Sequence, residues 1–327
     1  MSQQYAYDAL VQEAEFRQCA SDILYFVNHY VYVNAVDQGG RAIMDTSQRP
    51  HQVRLLSDLA DTSLRNIIAL KSRQVGFTTC CAVASLWWAL FHPDQYILFI
   101  SRREDDAKDI LRKADYAYRW LPVWMQDRAP KREDNTSQRM TFANDSVIRS
   151  EQSQSDPARG QTATLIIADE FASLEKPEEA WASMEPVADI GGRIMILSTA
   201  KGSGNLFHVM WQQAVTGRSK FTPMFIPWSA VPTRDDEWFA EKVDQLVPWI
   251  RAQEYPQDPD EAFVMSGAMV FDYEAIKTQQ MEFSHPGRWV RLDEDYACID
   301  HTGPMRDGHP VRVHSKHAAE VGYLEAS

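Results

Sequence analysis

The stretch KSRQVGFTT, residues 71–79, sets two cations, a glycine and three hydroxyls at a spacing suited to holding phosphate. A phosphate-binding loop usually reads G-x-x-x-x-G-K-[ST]. Gly76 and Thr78 stand in that frame, but Lys71 occupies the slot of the first glycine and Phe77 that of the lysine. A strand leading in and a helix leading out would aim free N–H groups and a helix dipole at an anion. The candidate contacts are therefore Lys71, Ser72, Arg73, Gln74, Val75, Gly76, Phe77, Thr78 and Thr79. The Thr78 hydroxyl falls where it would ligate Mg²⁺. Lys71, at the loop entrance, has a stem long enough to reach back to the β- and γ-phosphates of ATP. Arg73 is a second cation in the same loop.

A second stretch supplies acids. TLIIADEFA, residues 164–172, is an apolar strand ending in Asp169 and Glu170. A carboxylate at the C-terminal end of such a strand suits a magnesium ligand. Glu170, directly after it, suits a general base that polarises water for attack on a γ-phosphate. A third stretch, LSTAKGSGNLF at 197–207, ends a buried strand in Ser198, Thr199 and Ala200, at the sheet edge where Asp169 also lies. That is the place for a sensor that couples loss of the γ-phosphate to movement.

These groups need a scaffold, and the hydrophobic pattern supplies one. RNIIAL (65–70), QYILFIS (95–101), ATLIIAD (163–169), GRIMILST (192–199) and FTPMFIPW (221–228) read as short, doubly buried strands. Helices are expected at 51–61, 77–91, 104–121 and 205–215, and a hairpin turning at Asn144-Asp145 within 139–150. Residues 1–45 look helical apart from the connection beginning near Val36. Alternation of strand and helix predicts an α/β fold: a mostly parallel central sheet with helices on both faces. The predicted segments are an N-terminal helical part at 1–47, an ATPase core at 48–228, a lid or linker subdomain at 229–283 and a C-terminal linker at 284–327.

Composition agrees with a globular chain: 327 residues, 44% hydrophobic and 24% charged. A net charge of −13 argues against wholesale wrapping of nucleic acid, leaving room for a local basic face. Arg102, Arg103, Lys108, Arg112 and Lys113 are the candidates for that face, although a solvated helix face explains them equally simply. Four cysteines show no metal-like spacing, and the longest apolar run, 80–91, is about half of what spans a bilayer. No membrane association is expected.

In their order and spacing, these motifs resemble those of the large terminase subunit of tailed phages, the ATPase that packages viral DNA. The resemblance runs over residues 48–272 and includes EYPQDPDEAFVMSGAMVFD at 254–272. It implies a P-loop NTPase of the RecA- and helicase-like type, with an additional strand and a catalytic glutamate, and ATP with Mg²⁺ as cofactors. Some members carry the loop lysine at the loop's start, as Lys71 stands here. The resemblance also implies that Gln52 contacts adenine and that Arg159, in ARGQTATLIIADE, is presented to the ATP of a neighbouring subunit. Arg73 competes with Arg159 for that arginine-finger role. Double-stranded DNA, a portal protein, a small terminase subunit and a homo-oligomeric ring are the implied partners, in the host cell cytoplasm. The family's C-terminal nuclease is not expected in the 44 residues after 283, whose Asp293, Asp295 and Asp300, with His285, His301, His309, His314 and His317, match no zinc pattern. The alternatives are a helicase-like or remodelling ATPase acting on other nucleic acid, which needs a second motor domain, and a non-hydrolysing nucleotide-binding scaffold, which has no need of Glu170.

Overall fold

The structure, a computed structural model, describes residues 3–35, 39–153, 162–263, 288–292, 298–300, 311–313 and 325–326. The chain divides into two units, Met1–Ser266 and Gly267–Ser327.

The first unit opens with α1 (Gln3–Ser21) and α2 (Ile23–Tyr30), the second capped by Asp22. The helical pattern then stops. β1 (Tyr32–Ala35) and β2 (Gly40–Ile43) pair antiparallel, so the expectation of helix up to residue 45 is corrected beyond Tyr30. β-branched and aromatic residues in Tyr32-Val33, with the glycine pair Gly39-Gly40 at positive φ, favour a hairpin over a third helix.

The core follows in alternation: α3 (Pro50–Ala60), β3 (Asn66–Lys71), α4 (Phe77–Phe91), β4 (Tyr96–Ser101), α5 (Glu104–Arg119) and α6 (Val123–Arg128). Next come β5 (Arg132–Asn135), β6 (Arg139–Phe142), β7 (Val147–Gln152), β8 (Leu165–Asp169), α7 (Pro177–Asp189), β9 (Arg193–Ser198), α8 (Leu206–Val215) and β10 (Phe221–Ile226). The unit closes with α9 (Asp236–Gln245), α10 (Pro248–Glu254) and α11 (Pro259–Ala262).

Eight of these strands form one sheet in the order β10-β3-β9-β8-β4-β7-β6-β5. The run from β10 to β7 is parallel, and β6 and β5 extend it antiparallel. β9 lies between β3, which feeds the loop, and β8, which carries the acids; this is the additional strand expected of the RecA-like class. Every residue of β3, β8 and β9 is buried, as a parallel sheet covered on both faces requires. Side chains alternate between the two faces: Ile67 and Ala69 join a core with α2 to α5, while Ile68 and Leu70 join one with α7 and α8.

α4 is apolar all round because it is enclosed. Its two indoles find acceptors, Trp87 at the Cys19 carbonyl (2.7 Å) and Trp88 at the Leu59 carbonyl (3.0 Å). No helix among the described residues is long and apolar enough to cross a membrane.

In the second unit β11 (Arg288–Leu292), β12 (Cys298–Asp300), β13 (Val311–Val313) and β14 (Glu325–Ala326) form an antiparallel sheet ordered β12-β11-β13-β14. The polar stretch read as linker carries strands that its sequence did not announce.

Candidate functional site

β3, β8 and β9 end side by side, and the predicted chemistry gathers at their C-terminal edge. β3 delivers Lys71 into the loop that starts α4; β8 delivers Asp169 and Glu170; β9 delivers Ser198 and Thr199. A cleft of about 910 Å³ opens over this edge. Lys71, Arg73 to Thr79, Asp169, Glu170, Thr199 and Gln52 all line it.

The loop turns through two left-handed residues, Gln74 (φ 57°) and Gly76 (φ 83°). At Gly76 the conformation and the space both demand glycine: a Cβ there would lie 2.5 Å from the Gln52 amide nitrogen. The N-terminus of α4 has no side-chain cap, so its first N–H groups remain available to an anion.

Lys71 is 6% exposed at its side chain, and its ammonium donates to Glu170 Oε1 at 2.7 Å. Burial disfavours this charge, yet the Glu170 and Asp169 carboxylates outweigh it and hold the lysine above its ordinary value. Burial also acts to raise the Glu170 carboxyl, but Lys71 and the Thr199 N–H prevail and keep it below the usual range. Asp169 differs: burial dominates and lifts it, with Lys71 opposing. Thr78 Oγ1 donates to Asp169 Oδ2 at 2.8 Å. A buried carboxylate and a hydroxyl, both hard oxygen donors in contact, fit a magnesium ion, which would offset the desolvation of Asp169. Among the described residues no group of three or more His, Cys, Asp or Glu side chains could hold a metal ion.

Glu170 itself sits in the left-handed region (φ 52°), at a cost of order 1 kcal/mol. Its Oε2 accepts from Ser198 Oγ at 3.5 Å and from the Thr199 N–H at 3.4 Å. Ser198 Oγ in turn accepts from the Ala172 N–H at 3.1 Å. The end of β9 is thus wired to the candidate base. Ala200 is buried in the core beside α8 and adds no group of its own to the cleft.

Other predicted residues are arranged less simply. Arg73 pairs with Glu254 at 3.0 Å. Ser72 is fully buried and donates to the Glu254 carbonyl at 3.1 Å. Gln52 gives its amide nitrogen to the Val75 carbonyl at 3.1 Å. Phe77 is 1% exposed, within the core, and stacks on His51. Arg159 and the histidines at 285, 301, 309, 314 and 317 lie outside the described residues. Of the proposed basic face, Lys108 and Lys113 are paired along α5 with Glu104 and Asp109, and Arg102 and Lys113 line the cleft.

Sequence reasoning missed several wall residues. Val33, Ala35, Ile43 and Met44 of the β1–β2 hairpin line the cleft, as do Val231, Thr233, Arg234 and Glu254. Arg234 donates to the Arg73 carbonyl at 2.9 Å and the Gln74 carbonyl at 3.3 Å. Only the abrupt arginine in VPTRDDEW marks it in the sequence, and that is no signal by itself.

The model of the family described as terminase large subunit, T4likevirus-type, N-terminal, matches residues 68–286. Among solved structures, the large terminase ATPase domain of Thermus phage P74-26 is similar, with 19% identity, a TM-score of 0.53, and coverage of 64% of this chain and 93% of that one. The large terminase of bacteriophage HK97 is 14% identical at a TM-score of 0.56, covering 83% of this chain and 61% of its own. The large terminase of another thermophilic bacteriophage, solved in complex with ADP, is 14% identical at 0.51, covering 74% and 61%. The chain thus spans 61% of the length of these last two large terminases. At these identities the likeness is one of fold.

Proposed function

The chain belongs to the terminase large-subunit family, and from that premise we propose that its cleft binds and hydrolyses ATP with Mg²⁺ to drive double-stranded DNA into a viral procapsid. One observation carries the reading. Lys71, Glu170, Asp169 and Thr78 come from three separate elements and meet within hydrogen-bonding distance at one sheet edge. A structural ion pair needs no neighbouring loop of free N–H groups; a phosphate site does.

In this reading the loop N–H groups and Lys71 bind the β- and γ-phosphates. Asp169 and Thr78 would hold Mg²⁺, which when bound would supply charge neutralisation on the phosphates. Glu170 takes the proton of the attacking water. Because Ser198 and Thr199 hold the other Glu170 oxygen, any shift of that carboxylate is felt at the end of β9. Gln52 and the apolar hairpin wall receive the base. The ADP in the similar thermophilic-phage large terminase supports a nucleotide as the ligand. The proposal extends to a homo-oligomeric ring, a portal protein and a small terminase subunit as partners, and to action in the host cytoplasm. Arg159 or Arg73 would serve as arginine finger.

The test is phosphate release by the purified chain with Mg·ATP, with excess EDTA, and across a titration of duplex DNA. Release that depends on Mg²⁺ and rises with DNA supports the proposal. A folded chain that neither binds nor hydrolyses ATP overturns it.

A further inference from the structure

We propose that Arg234 is a positioning residue for the phosphate loop: its guanidinium holds the loop's carbonyls outward so that the loop's N–H groups face the cleft. The inference rests on the nucleotide reading above and names a residue that the loop motif does not contain.

Arg234 Nη2 reaches both carbonyls that flank Gln74, those of Arg73 (2.9 Å) and of Gln74 itself (3.3 Å). Its Nη1 lies 3.4 Å from Ser72 Oγ. In a trans peptide the N–H points opposite to the C=O. Fixing the Arg73 and Gln74 carbonyls therefore fixes the Gln74 and Val75 N–H groups on the other side. The next peptide is fixed likewise, because Gln52 and His51 take the Val75 carbonyl at 3.1 and 3.2 Å and so orient the Gly76 N–H. Among the described residues none of these three N–H groups has an acceptor. All three residues line the cleft. Three consecutive unpaired donors, each set opposite a held carbonyl, are the makings of an anion-binding concavity.

The arrangement also accounts for the backbone. Gln74 is a non-glycine residue at φ 57°, a conformation that persists only when its surroundings over-determine it. A fork that grips the carbonyls on both sides of that residue does so. Arginine suits this role, since one planar group donates several bonds at once, which the point charge of lysine does not.

The fork is itself held. The guanidinium carbon lies 4.7 Å from the Trp238 ring centre and 5.5 Å from that of Tyr255. Those two rings pack edge to face at 5.2 Å. Asp235, the next residue, caps α9 through the Trp238 N–H at 2.8 Å. From the same region the Glu254 carbonyl accepts from the Arg73 N–H (2.8 Å) and from Ser72 Oγ (3.1 Å). The segment after β10, whose Arg234 and Glu254 form part of the cleft wall, thus grips the loop at four successive groups.

This role has a kinetic signature. Without the fork, the unliganded loop samples conformations in which its N–H groups are scattered, and apparent affinity falls by the fraction still competent. Bound nucleotide reorders the loop, so the chemical step is spared. We expect Arg234→Ala to weaken ADP and a non-hydrolysable ATP analogue equally, by about 10- to 100-fold, with KM for ATP rising in step and kcat within about threefold of wild type. Arg234→Lys keeps the stem and charge and so guards against a variant that fails to fold; it should stay within a few-fold of Arg234→Ala. The measurements are calorimetric titration of the full chain with each nucleotide and steady-state hydrolysis. Full rescue by lysine, a loss confined to the triphosphate, or unchanged ADP affinity in a folded Arg234→Ala each overturns the positioning role. A wild-type chain that binds neither nucleotide overturns the nucleotide reading and this inference together, whereas wild-type binding that survives Arg234→Ala overturns this inference alone.

Discussion

Replacing Glu170 with glutamine separates two roles that we propose for one carboxylate. The first is chemical. A general base contributes about 10²–10⁴ in rate, so the variant should hydrolyse ATP slower by that factor, a barrier increase of roughly 3–5.5 kcal/mol. The second is competition for Lys71. In the unliganded chain the Lys71 ammonium donates to Glu170 Oε1 at 2.7 Å, and any phosphate that recruits the lysine must displace that oxygen. A charged acceptor contributes about 1.5–3 kcal/mol where a neutral one contributes about 1, so the neutral amide of glutamine releases Lys71 for about 1 kcal/mol less. Glu170 is the more exposed partner, 42% at its side chain against 6% for Lys71, so solvent screening keeps this gain at the low end. The expected outcome is a protein that binds a non-hydrolysable ATP analogue about fivefold more tightly than wild type while its turnover collapses. Isothermal titration gives the first quantity and single-turnover phosphate release the second. Turnover within a few-fold of wild type would refute the base assignment. Weaker binding would refute the competition, because it would mean that the carboxylate supports the nucleotide site rather than opposing it.

Three other outcomes follow from the same geometry, and a fourth, for Arg159, from the family resemblance. Lys71→Ala should abolish measurable binding and turnover, whereas Arg73→Ala, whose guanidinium is tied to Glu254 and largely exposed, should lose less than about tenfold; the reverse ranking in the same titrations and assays would move the counter-charge to Arg73. Gly76→Ala should destabilise the fold by about 1–2 kcal/mol in urea unfolding and reduce nucleotide binding, since it strains a left-handed residue and drives a methyl into Gln52. Subunits carrying Arg159→Ala and subunits carrying Glu170→Gln, each inactive alone, should recover part of the activity when mixed under conditions that assemble the ring; no recovery would remove the finger from the neighbouring subunit. Burial depresses the pKa of His51, His92 and His208, so the unfolded chain binds protons that the fold refuses: stability is full above the ordinary histidine value near 6.5 and falls as pH drops below it, which denaturant midpoints between pH 7.5 and 5 will read.

Much of the core was legible because parallel strands covered on both faces leave an unambiguous mark. NIIALK, LIIAD and RIMILS are apolar, branched and bounded by charge, and the three elements lie within a residue or two of where the sequence placed them. Their order in the sheet was legible only through the resemblance, since nothing in the local pattern says that β9 inserts between β3 and β8. The hairpin over Tyr32–Ile43 was missed because its strands are four residues each and only partly buried, too short for alternation to stand out from a helical background. In the candidate site, the loop residues at fixed spacing from Gly76, which line the cleft, were legible. Residues that act on the loop from a distance in sequence were not. Arg234 and Glu254 are 161 and 181 positions from Arg73, and a guanidinium bonded to backbone carbonyls leaves no pattern in the residues that it contacts.

The displaced lysine follows from packing. In the usual pattern a lysine occupies the first turn of the helix after the loop. Here that position is Phe77, 1% exposed in the core with α2 to α5 and stacked on His51, at the head of a helix whose buried face runs through Cys80, Cys81, Ala84 and Trp88. An ammonium at residue 77 directed into that apolar core would be stripped of water, at a cost of several kcal/mol unless it were paired. At residue 71 the same charge is just as buried, but it emerges where β3 ends against β9, and Asp169 and Glu170 stand next to it. The strand entrance is thus the position in this loop where a buried cation is balanced before any phosphate arrives. Moving the lysine there frees the helix start to be apolar, and it binds the resting lysine to the residue proposed as base. In the proposed site, a phosphate that enters the loop would draw Lys71 from Glu170 and free that carboxylate's Oε1 to accept from the attacking water.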